Sequence, residues 1–163
     1  MAQRGRTISL YLLNGSVTGV IKYTLPNWTG VIYKIPRTEL ESCKKRVDLQ
    51  QSGVYFLFGK SDENNDNVVY VGQAGIRKNG NGLLGRILEH AKNPEKDYWT
   101  EAVAITTTNN TFGPTEISYL ENQFTQLAMK ANRYIVKNAN DPNSGNITEE
   151  KESELEEFIE EYY

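Results

Sequence analysis

The chain has 163 residues, 38% apolar and 24% charged, with a formal net charge of −3; this is an ordinary globular composition, long enough to enclose a hydrophobic core. One cysteine, Cys43, excludes an internal disulfide framework and most cysteine-based zinc sites. No run approaches the ~18 apolar residues of a membrane span and no apolar leader follows Met1, so a cytoplasmic, membrane-independent protein is expected.

Residues 7–13 and 17–25 alternate as strands around Asn14-Gly15, a pair that supplies the positive φ of a tight hairpin turn. A third short strand is predicted over 30–35. Pro36 then opens a predicted helix, with Leu40, Cys43 and Val47 at helical spacing. Residues 53–59 (GVYFLFG) and 68–72 (VVYVG) read as a second strand pair across a polar loop. A glycine-rich loop follows, then a helix over 83–91 with Leu84, Ile87, Leu88 and Ala91 on one face. Residues 101–108 are β-branched and strand-like. Pro114 opens a longer helix whose stripe is Ile117, Leu120, Phe124, Leu127 and Ala128.

A loop rich in Asn and Pro leads to a last, glutamate-dense helix carrying Leu155, Phe158 and Ile159. Glu149 to Glu161 holds eight Glu and one Lys, whereas residues 1–147 hold 17 basic and 13 acidic side chains. The acidity belongs to the tail, and the basic body permits a polyanionic partner. The order of elements implies an α+β fold with a small, mostly antiparallel sheet flanked by helices. It divides into a β-hairpin-plus-helix extension (1–50), a central domain (51–140) and a loop with an acidic helix or linker (141–163).

The informative constellation is Gly53-Val54-Tyr55, Tyr70-Val71-Gly72, then Arg86 and His90, then Glu121. Arg86 and His90 stand four apart, on one face of one helix. Arginine is a planar donor suited to phosphate oxygens, and Glu121 is a hard-oxygen ligand suited to Mg²⁺ or Mn²⁺. Over residues 53–140 this pattern resembles the GIY-YIG nuclease family, with Val54 and Val71 in place of the two isoleucines.

The resemblance implies a metal-dependent endonuclease acting on nucleic acid, with DNA the expected substrate and one divalent cation, Mg²⁺ or Mn²⁺. It assigns Glu121 to the metal and Arg86 to the charge of the transition state. Tyr55 or Tyr70 would activate the attacking water, while His90 would serve instead as the base or hydrogen-bond the phosphate. Asn138 is the first choice for the family's Asn and Asn132 the alternative; Ile135 stands where some members carry Asn. Arg77 and Lys78 in the glycine-rich loop, with Lys92, are expected to meet the nucleic-acid backbone.

Bland readings stand beside these. Each tyrosine alone suits a structural strand position, His90 a solvated helix surface, and Arg86 an ion pair with Glu89. Cys43 reads as packing. Gly80, Gly82 and Gly85 spell G-x-G-x-x-G, but seven residues separate Gly72 from Gly80 and the next strand lacks an acidic ribose ligand, against a dinucleotide site. Tyr23, Trp28 and Tyr33 would stack on bases or fill a core. The tail reads as a solvated helix, a link to a partner protein or further domain, or a shield for the basic body. The rival to a nuclease is a catalytically silent nucleic-acid-binding or scaffold module on the same fold.

Overall fold

The computed structural model describes residues 5–26, 28–61, 65–75, 82–94, 97–109, 111–137 and 149–160. Among these, seven strands form one sheet in the order β1-β2-β3-β6-β4-β5-β7. They are β1 (Ser9–Leu12), β2 (Ile21–Thr24), β3 (Gly30–Pro36), β4 (Gly53–Lys60), β5 (Asn67–Ala74), β6 (Trp99–Thr107) and β7 (Ile135–Val136). Pairing is antiparallel except for β5 with β7. The fold is α+β as expected, but the sheet is not small. β3 pairs with β6 along seven residues, from Gly30↔Thr107 to Pro36↔Glu101, so the first three strands extend the same sheet.

Strand alternation sends successive side chains to opposite faces, and each face carries its own core. On one face Tyr33, Tyr55, Leu57 and Ala104 pack with Leu83, Leu84 and Ile87 of helix α1 (Gly82–Ala91). On the other, Val54, Val71 and Ile105 pack with Ile117, Leu120 and Phe124 of α2 (Pro114–Ala131) and with Leu155, Phe158 and Ile159 of α3 (Glu149–Glu160). The acidic helix is therefore docked by its apolar stripe. Phe158 lies 4.9 Å from Trp28 and 5.2 Å from Phe112, ring to ring, and the Tyr119 hydroxyl donates to Glu156 at 3.1 Å.

Two local expectations are corrected. The first hairpin has no two-residue turn. Gly15 does take a positive φ of 69°, but Asn14 Oδ1 accepts the Val20 N–H at 3.1 Å, and this side-chain cap holds a wider loop. Pro36 opens no α-helix either. Residues Arg37–Cys43 and Asp48–Gln50 are 3₁₀ segments. The buried residues there are Leu40, Cys43 and Leu49, while Val47 is 75% exposed. Those positions are multiples of three apart, the repeat of a 3₁₀ turn, and Arg37 lacks a side-chain N-cap.

Arg37 instead clamps this segment to the rest of the fold. It donates to the carbonyls of Trp99 at 3.0 Å and Ala91 at 2.7 Å, meets Asp97 at 2.9 Å, and lies 4.5 Å over the Trp99 ring. α2 begins at Pro114 as expected, with the Gly113 N–H capped by Glu116 at 3.0 Å. It ends where Asn132 turns left-handed at φ 52°. No described helix is long and apolar enough to cross a membrane.

Candidate active site

In register, Tyr55 faces Gly72 across the β4–β5 pair and Leu57 faces Tyr70. Tyr55 and Tyr70 thus share the α1 face, their rings nearly parallel with centroids 6.3 Å apart. Gly72 makes this possible: a β-carbon there would overlap the Tyr55 ring and hydroxyl. The glycine of the second tripeptide is therefore demanded by the tyrosine of the first.

α1 brings Arg86 and His90 to the same place, one helical turn apart. His90 is buried, and its Nε2 lies 2.6 Å from the Tyr55 hydroxyl. The His90 ring sits 5.4 Å from Tyr55 and 5.0 Å from Tyr70. Burial pushes the Tyr55 phenol well above its ordinary pKa, with the neighbouring Tyr70 adding to the rise and a hydrogen bond from Arg86 opposing it. A phenol that keeps its proton can donate it to Nε2 when His90 is the Nδ1–H tautomer, or accept from Nε2–H in the other tautomer. His90 is thus a buried partner of tyrosine rather than a solvated helix residue. Arg86, half-buried, also pairs with Glu89 at 2.8 Å, as the i+3 spacing allowed.

Glu121 arrives from the other layer. It lies on α2 between Leu120 and Asn122, it is buried, and its charge is felt at Tyr55. Burial alone raises its pKa. A second polar link joins the layers nearby, where the Ser118 hydroxyl donates to Gln73 Oε1 at 3.1 Å. The sequence pattern gave no reason to single out Gln73, and strand alternation alone sends it to the α2 face beside Gly72.

The expected metal can be tested against this donor set. No group of three or more His, Cys, Asp or Glu side chains suited to a metal occurs among the described residues. The described residues therefore offer no polydentate protein cage. A cation held by one carboxylate and otherwise by water and phosphate is the mode familiar for Mg²⁺. A buried carboxylate raised by desolvation gains from a nearby cation, so Glu121 fits that mode.

The structure brings together four of the expected residues, Tyr55, Tyr70, Arg86 and His90; Glu121, on α2 of the other layer, reaches them only through its electrostatic influence on Tyr55. Lys92 is exposed just past the end of α1. Asn138, Arg77 and Lys78 lie outside the described residues, and Asn132 is exposed at the left-handed end of α2. Tyr33 is fully buried, so it serves the core rather than base stacking. An apolar groove of about 590 Å³ opens on the opposite face of the sheet, against Phe56, Phe124 and Leu127. Apart from Lys130 its lining is apolar and offers no carboxylate, so it is not where the polar chemistry converges. Comparison with known proteins returned no match: no family profile, no curated protein and no solved structure corresponds to the chain.

Proposed function

We propose that the protein is a metal-dependent endonuclease of the GIY-YIG type, hydrolysing phosphodiester bonds in DNA. The observation that supports this most is the buried Tyr55–His90 hydrogen bond at 2.6 Å with Arg86 beside it. A phenol hydrogen-bonded to an imidazole can take up a proton and pass on its own. As the attacking water loses a proton to the Tyr55 oxygen, the Tyr55 proton moves to His90 Nε2, and an imidazolium forms instead of a free phenolate. This removes the difficulty of a tyrosine base whose pKa is raised by burial. Tyr70, stacked alongside, orients the water or the phosphate.

The water oxygen bonds to phosphorus as the bond to the leaving oxygen breaks, and negative charge gathers on the non-bridging oxygens. Arg86 offers those oxygens a planar donor fork. Glu121 would hold one Mg²⁺ or Mn²⁺, which when bound supplies a Lewis acid for the phosphate and the leaving oxygen. Tyr55→Phe removes the relay and Arg86→Ala the charge stabilisation. Each is expected to lower turnover by about 10²–10⁴-fold, the range for a general base or an oxyanion donor.

The test is cleavage of supercoiled, branched and single-stranded DNA with Mg²⁺ or Mn²⁺, wild type beside Glu121→Gln. Cleavage by wild type alone supports the reading. Equal cleavage by both removes Glu121 from the chemistry. Binding without cleavage on every substrate favours a silent nucleic-acid-binding module.

A further inference from the structure

We infer that a second phosphate-binding subsite lies three strands away from the candidate active site on the same face of the sheet and grips the DNA strand that enters it. The inference rests on the nuclease reading for its ligand, but its geometry is separate. An open pocket of about 400 Å³ is lined by Lys22 of β2, Lys45 and Arg46 of the turn between the two 3₁₀ segments, Asp48, Gln51 and Thr108. Three cations and one carboxylate give the pocket a net positive charge. Asp48 is already engaged, accepting the Tyr33 hydroxyl at 3.0 and 2.8 Å and meeting Lys22 at 3.8 Å. Among the described residues Lys45 and Arg46 form no ion pair. Two unpaired cations facing a concavity with amide and hydroxyl groups make a site for a phosphodiester anion.

Strand register places this pocket relative to the chemistry. Lys22 pairs with Tyr33, Tyr33 with Ala104, and Ala104 with Tyr55. The four lie in one row on one face of the sheet. With neighbouring strands about 4.8 Å apart, Lys22 and Tyr55 are about 14 Å apart along that row. B-form DNA rises about 3.4 Å per nucleotide along one strand, so this span is about four nucleotides. Gln51 joins the two sites, since its carbonyl accepts the Leu83 N–H at 3.0 Å in the first turn of α1. Arg86 follows about one turn later on the same helix. A strand held at Lys45 and Arg46 thus runs past the start of α1 toward Arg86.

The experiment measures DNA binding by anisotropy over a range of salt, in the Glu121→Gln background so that no strand is cut. Adding Lys45→Ala and Arg46→Ala is expected to weaken binding at low salt by at least tenfold. It should also flatten the plot of log affinity against log salt by about two units, one per lost phosphate contact. Lys130→Ala, on the opposite face, should leave the slope unchanged, and Asp48→Asn should tighten binding. Matching melting temperatures confirm that the variants are folded. An unchanged slope in the double variant overturns the subsite, as does a pocket that binds inorganic phosphate while DNA binding ignores Lys45 and Arg46. The two readings fail separately. Wild-type protein that cuts DNA with an unaltered slope in the double variant retains the nuclease and loses the subsite. A flattened slope without cleavage by wild type does the reverse.

Discussion

Replacing Gly72 with alanine tests the site's geometry without assuming any activity. The backbone is no obstacle, because Gly72 is not among the glycines with positive φ. The obstacle is Tyr55, whose ring and hydroxyl occupy the volume of the new methyl group. Tyr55 is 1% exposed and packed into the α1-side core, so its ring cannot simply swing into solvent. Overpacking of this kind costs about 1–3 kcal/mol, and breaking the Tyr55–His90 hydrogen bond adds about 1 kcal/mol. Restricting the unfolded chain returns about 0.4–1 kcal/mol. The net loss is about 1–3 kcal/mol, or roughly 2–10 °C in melting temperature for a chain of this size. Urea denaturation and thermal melting provide the assay, with Gly75→Ala as the control, since a β-carbon at Gly75 meets nothing within 4 Å. Tyr55→Phe in the same background should relieve part of the penalty, with a coupling of at least about 0.5 kcal/mol. A Gly72→Ala protein that melts with the control and shows no coupling to Tyr55 would refute the close approach.

Three further outcomes follow from the same contacts. Glu121 has a raised pKa in the folded state, so the penalty of its charge is absent in acid and appears as pH rises through the folded pKa. Glu121→Gln should therefore stabilise the metal-free protein at neutral pH, read as a higher melting temperature than wild type. Mg²⁺ or Mn²⁺ should raise the melting temperature of wild type only, and a variant destabilised at neutral pH contradicts this. Tyr33 and Tyr55 are pushed well above the ordinary phenol range by burial, and Tyr98 and Tyr119 to about 12. Their stabilisation is complete below the unfolded value of about 10 and is lost as pH climbs beyond it. A tyrosinate absorbance titration should leave these four phenols silent until the protein unfolds in alkali; free titration of all ten near the ordinary phenol value of about 10 would deny their burial. Arg37→Ala should cost about 2–4 kcal/mol, because two carbonyl bonds and a ring contact go together. A loss under about 0.5 kcal/mol in chemical denaturation would show that the clamp is idle.

How far the sequence revealed this arrangement varies with the range of the interactions. The two tripeptides and the Arg86–His90 pair were legible because strand and helix periodicities are local, and they place Tyr55 with Tyr70 and Arg86 with His90. The need for Gly72 was not, because it depends on which residue stands opposite in the register. His90 reads as a surface residue until Tyr55, 35 positions earlier, closes over it. Leu40, Cys43 and Val47 fit an α-helix, and only the burial of Leu49 in place of Val47 reveals the three-residue repeat of the 3₁₀ segments. β7 is two residues long and held by its parallel pairing with Val68 and Val69, too short for periodicity to signal. Arg37 binds carbonyls 54 and 62 positions away, and nothing in a local pattern encodes such partners. The Lys44-Lys45-Arg46 run stands in the sequence but carries no signal of a site by itself, because Lys22 joins it only through the pairing of β2 with β3.

The separation of the two cores by the sheet has a functional consequence. Tyr55, Tyr70, Arg86 and His90 belong to one layer, whereas Glu121 is delivered by the helix packed on the other. The site is therefore a logical conjunction, complete only while both layers are seated. A change confined to the α2–α3 side, such as trimming Phe158 or Leu155, would leave the tyrosine–histidine couple intact while displacing Glu121, the carboxylate proposed to hold the metal. On the proposed nuclease reading, cleavage would then fade ahead of global unfolding, and anything that loosens or tightens α2 and α3 would act as a throttle without touching the substrate.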